Sequence, residues 1–419
     1  MNTMQKFLFW LTAKGMAFVK RHYLGMAAGY TIGGIWKHTF AVGRKKDCQE
    51  LKQYLGERYK GDSTNDTEVI LCKNGRSALC LALKSYFDKG DAVIVNGFTC
   101  YAVYEAIRAA GLNPVWADIS REDLNFDLET LENIFRAGPA GLSSPKILQS
   151  KYFGGPPPSP SPARIKGIII QNSLGNPVDI AAIEKFAKKH SLTIIEDLAH
   201  CAGVRYADGR EAGTVGAACV LSFGKDKAID TTSGGAVVLR NHCKHKAQAP
   251  TKAPKPSDHL RARFYPLLGA TCRGVMIVRA GGILMRCLVK IHWVERSADN
   301  KLDLTRKISK FEARLALSQL KNLRKSGEPA LRGFYLVENR DEVLKELRLA
   351  RYFFDGLWYE KPVSPVRYYK KVHFPEAECP EAVFVSEHII NFPTYYPKDD
   401  LTRARKIVEK HLIGGKNEQ

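Results

Sequence analysis

From Val69 onward the chain alternates short apolar runs with amphipathic stretches. VILCK, AVIVN, PVWAD, GIIIQ, TIIED, CVLSF and AVVLR are short, continuous and apolar, which predicts strands buried on both faces. Between them, SALCLALKSYF, YAVYEAIRAAG and DIAAIEKFAKKH carry apolar residues at helical spacing. Repeated units of this kind predict an α/β fold with a mainly parallel central sheet covered by helices. The first sixty residues read as helices bearing aromatic and basic side chains and end in KDCQELKQYLGERYKG.

Two stretches interrupt the alternation. Residues 137–162 include GPAGLSSP and GGPPPSPSP, which cannot supply a regular ladder and predict an exposed loop. Between Arg240 and Lys301, the polar QAPTKAPKPSD gives way to FYPLLGATCRGVMIVRAGGILMRCLVKIHWV, an apolar run punctuated by Arg273, Arg279, Arg286 and Lys290. That spacing fits a helix lying in a membrane interface with its basic face toward anionic head groups. It fits equally an amphipathic helix packed on the protein or across a dimer interface. FLFWL near the N-terminus is too short for a secretory core, and Lys20, Arg21 and His22 break the apolar stretch from Met16 to Trp36.

From Leu302 to Leu323 the pattern predicts helix. LRGFYLVENRDEVLKELRLARYFF then reads as a strand and helix, EHIINFPTYYP as a strand and turn, and KDDLTRARKIVEKHL as an amphipathic helix. Three parts are expected: an N-terminal helical segment (1–60), a large α/β domain (61–300) with insertions at 137–163 and 245–300, and a linking helix with a smaller C-terminal α+β domain (301–419).

Charge narrows the partners. The 419 residues hold 64 Lys and Arg against 43 Asp and Glu, a formal net charge of +21, which suggests an anionic partner. The basic residues are spread along the chain without an RNP, zinc-finger or basic-zipper signature, which argues against nucleic acid and leaves a phosphorylated small molecule or an acidic membrane surface. The ten cysteines show no CxxC or Cys/His ligand spacing. They read as free thiols in a reducing cytosol, with no metal site.

Two residues carry the candidate chemistry. Asp197 ends the run TIIED, where a carboxylate at the carboxyl end of a central strand faces the crevice in which such folds bind ligands. Lys227 lies in LSFGKDK. An amine able to condense with an aldehyde, together with a carboxylate able to keep a pyridine nitrogen protonated, is what pyridoxal phosphate chemistry requires. Upstream, Lys73-Asn74-Gly75-Arg76-Ser77 opens a predicted helix. Gly75 allows a tight turn there, and the amides of Arg76 and Ser77 present a phosphate site. The Arg76 guanidinium could add a phosphate contact or face solvent. Glu196 would point to the opposite side of its strand.

NGRSALCLAL, GDAVIVNGFTCYAVYEAIRAAGLNPVWADI, NPVDIAAIEKFAKKHSLTIIEDLAHCAG, AACVLSFGKDK and SGGAVVLRN resemble the DegT/DnrJ family of aminotransferases. The likeness continues more weakly through KISKFEARLALSQLKNL and VFVSEHIINFPTYYPKDDLTRARKIVEKHL. It implies the fold type I architecture of pyridoxal phosphate enzymes, and amination of a keto sugar carried on a nucleotide with glutamate as donor. By the family pattern Lys227, not Lys225, bonds the cofactor, and Ser222 meets its phosphate. His200 would sit beside its phenolic oxygen, with Ala199 against the ring. The family's stacking aromatic falls on Cys100, so Tyr101 is expected to take that role, with a core tyrosine as the alternative. Thr305 stands where an asparagine of a second subunit reaches the phosphate, which implies a homodimer.

Gly234-Gly235 comes one residue early, and the acid usually before it is missing, so the loop after Lys227 is expected to be short. That loop, Cys100 and Thr305 keep open a non-catalytic regulator or membrane-associated assembly factor. A sugar dehydratase of the same fold is disfavoured by Lys227, since such relatives replace that lysine, typically by histidine. The expected location is the cytoplasm, with peripheral contact to an anionic inner membrane face through 260–295.

Overall fold

A computed structural model describes residues 23–24, 30–61, 67–136, 165–240, 243–275, 280–295, 301–323, 331–350, 352–354, 358–393 and 398–413. Seven strands form its central sheet: β1 (Glu68–Cys72), β2 (Ala92–Asn96), β3 (Asn113–Ala117), β4 (Ile165–Ile170), β5 (Thr193–Asp197), β6 (Ala218–Ser222) and β7 (Gly235–Leu239). Their order is β1-β7-β6-β5-β4-β2-β3. Every pairing is parallel except those of β7, which runs antiparallel to both β1 and β6.

The unbroken apolar runs are explained by two cores. Successive strand side chains face opposite ways, and in β7 Val237 and Leu239 enter one core while Ala236 and Val238 enter the other. In β6, Ala218 and Val220 divide from Cys219 and Leu221 in the same manner. Each fully buried Val, Leu or Ile contributes about 1.5–3 kcal/mol, so neither face tolerates a polar alternation.

Numbered along the chain, the helices begin with α1 (Ile32–Thr39) and α2 (Lys45–Arg58), followed by α3 (Gly75–Tyr86), α4 (Tyr101–Ala109), α5 (Leu128–Arg136) and α6 (Ile180–Lys189). Helices α3 and α4 supply the first core, α2 and α6 the second. The insertion folds as α7 (Pro256–Gly274) and α8 (Gly281–Lys290), and α9 spans Lys310–Lys321. The described residues after α9 form a smaller α+β unit. Its strands β8 (Arg332–Leu336) and β9 (Ile389–Pro393) pair antiparallel. With them stand α10 (Arg340–Leu349), α11 (Val366–Val372), α12 (Pro380–His388) and α13 (Lys398–Glu409). Val343, Leu347, Ile390, Phe392, Leu401 and Val408 close a third core, while Leu336 and Ile389 reach into the first.

Two expectations change. The helix expected from Leu302 starts only at Lys310, because Ser309 caps it: its hydroxyl accepts from Glu312 N while the Glu312 carboxylate accepts from Ser309 N. The insertion is also not one lipid-facing helix. Arg273 is 2% exposed, and Arg263 donates to the carbonyls of Thr39 and Ala41, so α7 is packed onto the body. Arg279, the loop 137–162 and most of the first thirty residues lie outside the described residues.

Candidate active site

β5 and β6 end side by side, and the segments that leave them build the site. Asp197 closes β5, is 7% exposed, and accepts a hydrogen bond from Ala199 N at 3.0 Å. Burial raises its pKa, opposed by that amide and by the positive charge of Lys227. Burial lowers the Lys227 pKa in turn, against the fields of Cys100, Asp197 and Asp226. The acid and the amine therefore share one electrostatic environment. A protonated pyridine nitrogen would give Asp197 the counter-charge that burial demands.

The competing lysine is engaged elsewhere. Lys225 donates to the carbonyl of Glu295 and lies 4.1 Å from the centre of the Tyr265 ring. Burial brings its pKa down to about 8. Lys227 instead places Nζ 4.6 Å from the centre of the Trp358 indole, which is delivered by the C-terminal domain.

His200, 5% exposed, accepts from Leu174 N at Nδ1 (3.2 Å), so Nε2 carries the proton and meets the Tyr359 hydroxyl at 3.3 Å. Burial holds its pKa well below the usual value, with Lys227 and Arg332 adding to the shift, and keeps the ring neutral.

The expected phosphate site lies where two elements approach closely. A Cβ on Gly75 would lie 2.7 Å from Ser222 Cβ and 2.9 Å from its Oγ, so any side chain there would fill the cup between α3 and the end of β6. Asn74 caps α3 by accepting from Ser77 N at 2.8 Å. The Ser77 hydroxyl accepts from Asp303 N at 3.0 Å. Ser77 is thus at the mouth, but its amide serves the cap.

Three expected contacts are placed differently. Arg76 turns its guanidinium to Glu105 on α4 at 2.5 Å. The Tyr101 ring is buried and stacks on Tyr368 with centroids 4.4 Å apart. Thr305 is exposed, and its hydroxyl donates to Asp303 of its own chain at 2.7 Å. Trp358, Tyr359 and Arg332 are additions to the expected set, since they come from the C-terminal domain and only the fold brings them to Lys227.

The short loop after Lys227 is braced on all sides. Asp230 accepts from Asp226 N and Thr232 N at 3.0 and 2.8 Å, while Gln319 on α9 both donates to and accepts from the Asp230 backbone. Thr232 donates to the Ala262 carbonyl of α7, tying the insertion to the lysine loop.

The fold is the fold type I architecture of pyridoxal phosphate-dependent enzymes. The chain belongs to the DegT/DnrJ/EryC1/StrS aminotransferase family, which it matches over residues 50–410. It is 27% identical over 241 residues to the GDP-perosamine synthase of Caulobacter vibrioides, covering 57% of each chain. It is 30% identical over 173 residues to the pleiotropic regulatory protein of Geobacillus stearothermophilus, covering 41% of this chain and 39% of that one. The chain spans about half the length of the curated relatives it matches. A solved DegT DnrJ EryC1 StrS aminotransferase from Brucella abortus superposes with a TM-score of 0.58 at 19% identity, over 92% of this chain and 94% of that one. Another solved neighbour, from Streptococcus pneumoniae, exists in pyridoxal phosphate and pyridoxamine phosphate forms.

The family's cofactor fits the residues present. Lys227 and Asp197 would hold its aldehyde carbon and ring nitrogen, and Ser222 with the Gly75 cup its phosphate. Among the described residues no helix is long and apolar enough to cross a membrane, and no cluster of acids, histidines and cysteines could hold a metal ion.

Proposed function

We propose that this protein transfers an amino group from glutamate to a keto sugar carried on a nucleotide, in cell-surface glycan or related biosynthesis. The observation that carries the reading is the shared environment of Asp197, at the end of β5, and Lys227, in the loop that leaves the neighbouring β6. The bound cofactor supplies an electron sink for the donor's α-carbon. Asp197 holds the proton on the ring nitrogen. Lys227, with its basicity lowered by burial, carries a proton to and from the α-carbon at Nζ. His200 Nε2–H holds the Tyr359 hydroxyl, and Tyr359 closes the pocket from the C-terminal side. Relatives named for GDP- and UDP-linked amino sugars support a nucleotide-bound acceptor. The net charge of +21 favours a diphosphate.

The test is transfer of ¹⁵N from labelled glutamate to a panel of nucleotide-linked 3- and 4-keto sugars. A labelled amino sugar supports the reading; no transfer to any of them, with cofactor bound, favours the regulatory alternative.

The working unit in this reading is a cytoplasmic homodimer, with Thr305 offered to the partner's site. The outer helix of the insertion is its contact with the inner membrane face: α8 exposes Ile283 beside Arg286 and Lys290, and Ile291 and Trp293 come next, 60% and 44% exposed. Sedimentation with anionic vesicles should be lost in Arg286→Glu/Lys290→Glu, and unchanged binding would refute the contact.

A further inference from the structure

Charge is distributed unevenly along the chain. The first 46 residues contain eight lysines and arginines and no acid, the first acid being Asp47. Residues 259–294 contain six and again no acid. These two stretches together account for 14 of the 21 net positive charges.

The fold packs them on each other. Ala262 of α7 accepts from His38 Nε2 of α1 at 3.0 Å, and Arg263 donates to the Thr39 and Ala41 carbonyls at the end of α1. Helix α8 joins the other flank of α7, where Tyr265 and Leu268 pack with Met285, Leu288 and Val294. At about 100° per residue, Leu260 and Leu267 fall on a stripe of α7 between those two flanks. That stripe faces outward, with the two leucines 46% and 42% exposed.

The outer surface of this layer is apolar as well as basic. Of the eleven large apolar side chains that stand exposed among the described residues, eight belong to α1, α7, α8 or the few residues that follow α1 and α8. Exposed apolar side chains gathered in one place mark an interaction site. Trp36 and Phe40, one turn apart on α1, are 60% and 62% exposed, and their rings stack with centroids 5.1 Å apart. Lys37 and Lys45 of the same stretch are exposed, as are Arg286 and Lys290 on α8. Aromatic and aliphatic side chains among lysines and arginines suit the head-group layer of an anionic membrane. A second copy of the chain fits less well. A two-fold contact lays a patch against itself, which would bring Lys37, Arg286 and Lys290 against an equally basic face.

We propose that α1 is a lipid-binding element, in which Trp36 and Phe40 anchor the protein on an anionic bilayer and the outer sides of α7 and α8 continue the same face. This extends the α8 contact of the reading above. Helix α1 precedes the span that matches the family model, residues 50–410, so the anchor lies outside the matched domain. The Ala262 carbonyl that holds His38 also accepts from Thr232 of the lysine loop, so a protein docked by this face carries the Lys227 loop immediately behind it.

The test sediments full-length protein with mixed phosphatidylglycerol and phosphatidylcholine vesicles, and with phosphatidylcholine vesicles alone. Wild type should bind the first, lose most of that binding at high salt, and leave the second unbound. Trp36→Ser/Phe40→Ser should weaken binding to the anionic vesicles about tenfold or more. Its melting temperature and the spectrum of its bound cofactor should match wild type, because both side chains are mostly in solvent. If the double variant does not fold, Trp36→Ser alone carries the same comparison.

Binding equal to wild type by the folded variant overturns the proposal, as does a wild type that ignores anionic vesicles. A wild-type dimer that the same substitutions make monomeric, with no vesicle bound by either, assigns the face to a second copy and also overturns it. The α8 contact fails separately: Arg286→Glu/Lys290→Glu would then bind like wild type while Trp36→Ser/Phe40→Ser does not, leaving α1 as the anchor.

Discussion

Glu196 and Asp197 are adjacent on β5, both carboxylates, both buried, and they serve opposite faces of the sheet. Glu196 is 0% exposed and accepts from the Tyr206 hydroxyl and the amides of Gly213, Val215 and Gly216 at 2.6–2.8 Å, with Arg240 Nη2 at 3.4 Å. Asp197 accepts from the Ala199 amide and otherwise feels only the charge of Lys227. A carboxylate surrounded by donors on its own chain is a structural brace. One left to burial and a nearby amine is held for a partner that arrives from outside.

The comparison can be broken most forcefully at the amine. Lys227→Ala should remove the visible band of bound cofactor and lower turnover by about 10⁴-fold or more, with the melting temperature of the apoprotein little changed. Turnover near the wild-type rate would end the assignment.

The two acids should then separate by kind of defect. Asp197→Asn should cost on the order of 100- to 1,000-fold in turnover and leave apoprotein stability at pH 7 unchanged or higher, because an acid with a raised pKa opposes folding once ionised. Glu196→Gln should lose about 3–5 kcal/mol in urea unfolding, the scale for breaking a buried charge network, while whatever folds still binds cofactor. Similar stability losses in both variants would erase the contrast.

Much of the sheet and its strand-end residues is legible in the sequence because it rests on short-range pattern. AVIVN and TIIED coincide with β2 and β5, since an apolar run of five between turn signals has few other places to go. Asp197, Ser222 and Gly75 take their places from where those strands stop. Trp358, Arg332 and Asn391 are not legible, because they lie more than a hundred residues beyond Lys227 and meet it only through tertiary packing. Tyr101 departs from its expected role for the same reason: its stacking partner, Tyr368, is equally remote. The late start of α9 has a signal in the sequence, since Ser309 and Glu312 stand at capping-box spacing. The burial of Arg273 has none, because a basic residue at helical spacing looks alike whether it meets lipid or Asp226.

The mildest effect sharpens the contrast between the sheet and the braced loop beside it. Burial raises Asp230 from its ordinary value of 3.8 to about 7. Between those values the unfolded chain gives up its proton first, so the folded state binds more protons and stability falls as pH rises. Asp230→Asn should flatten that slope between about pH 4 and 7. A melting-temperature profile with the wild-type slope would remove Asp230 as its source.

The most direct measurement is the visible absorption spectrum of the purified protein reconstituted with pyridoxal phosphate, before and after glutamate. A yellow band that glutamate converts to the near-ultraviolet band of the pyridoxamine form is the result expected if Lys227 and Asp197 act as assigned. No visible band after reconstitution, or a band that neither glutamate nor any other amino acid alters, would contradict it.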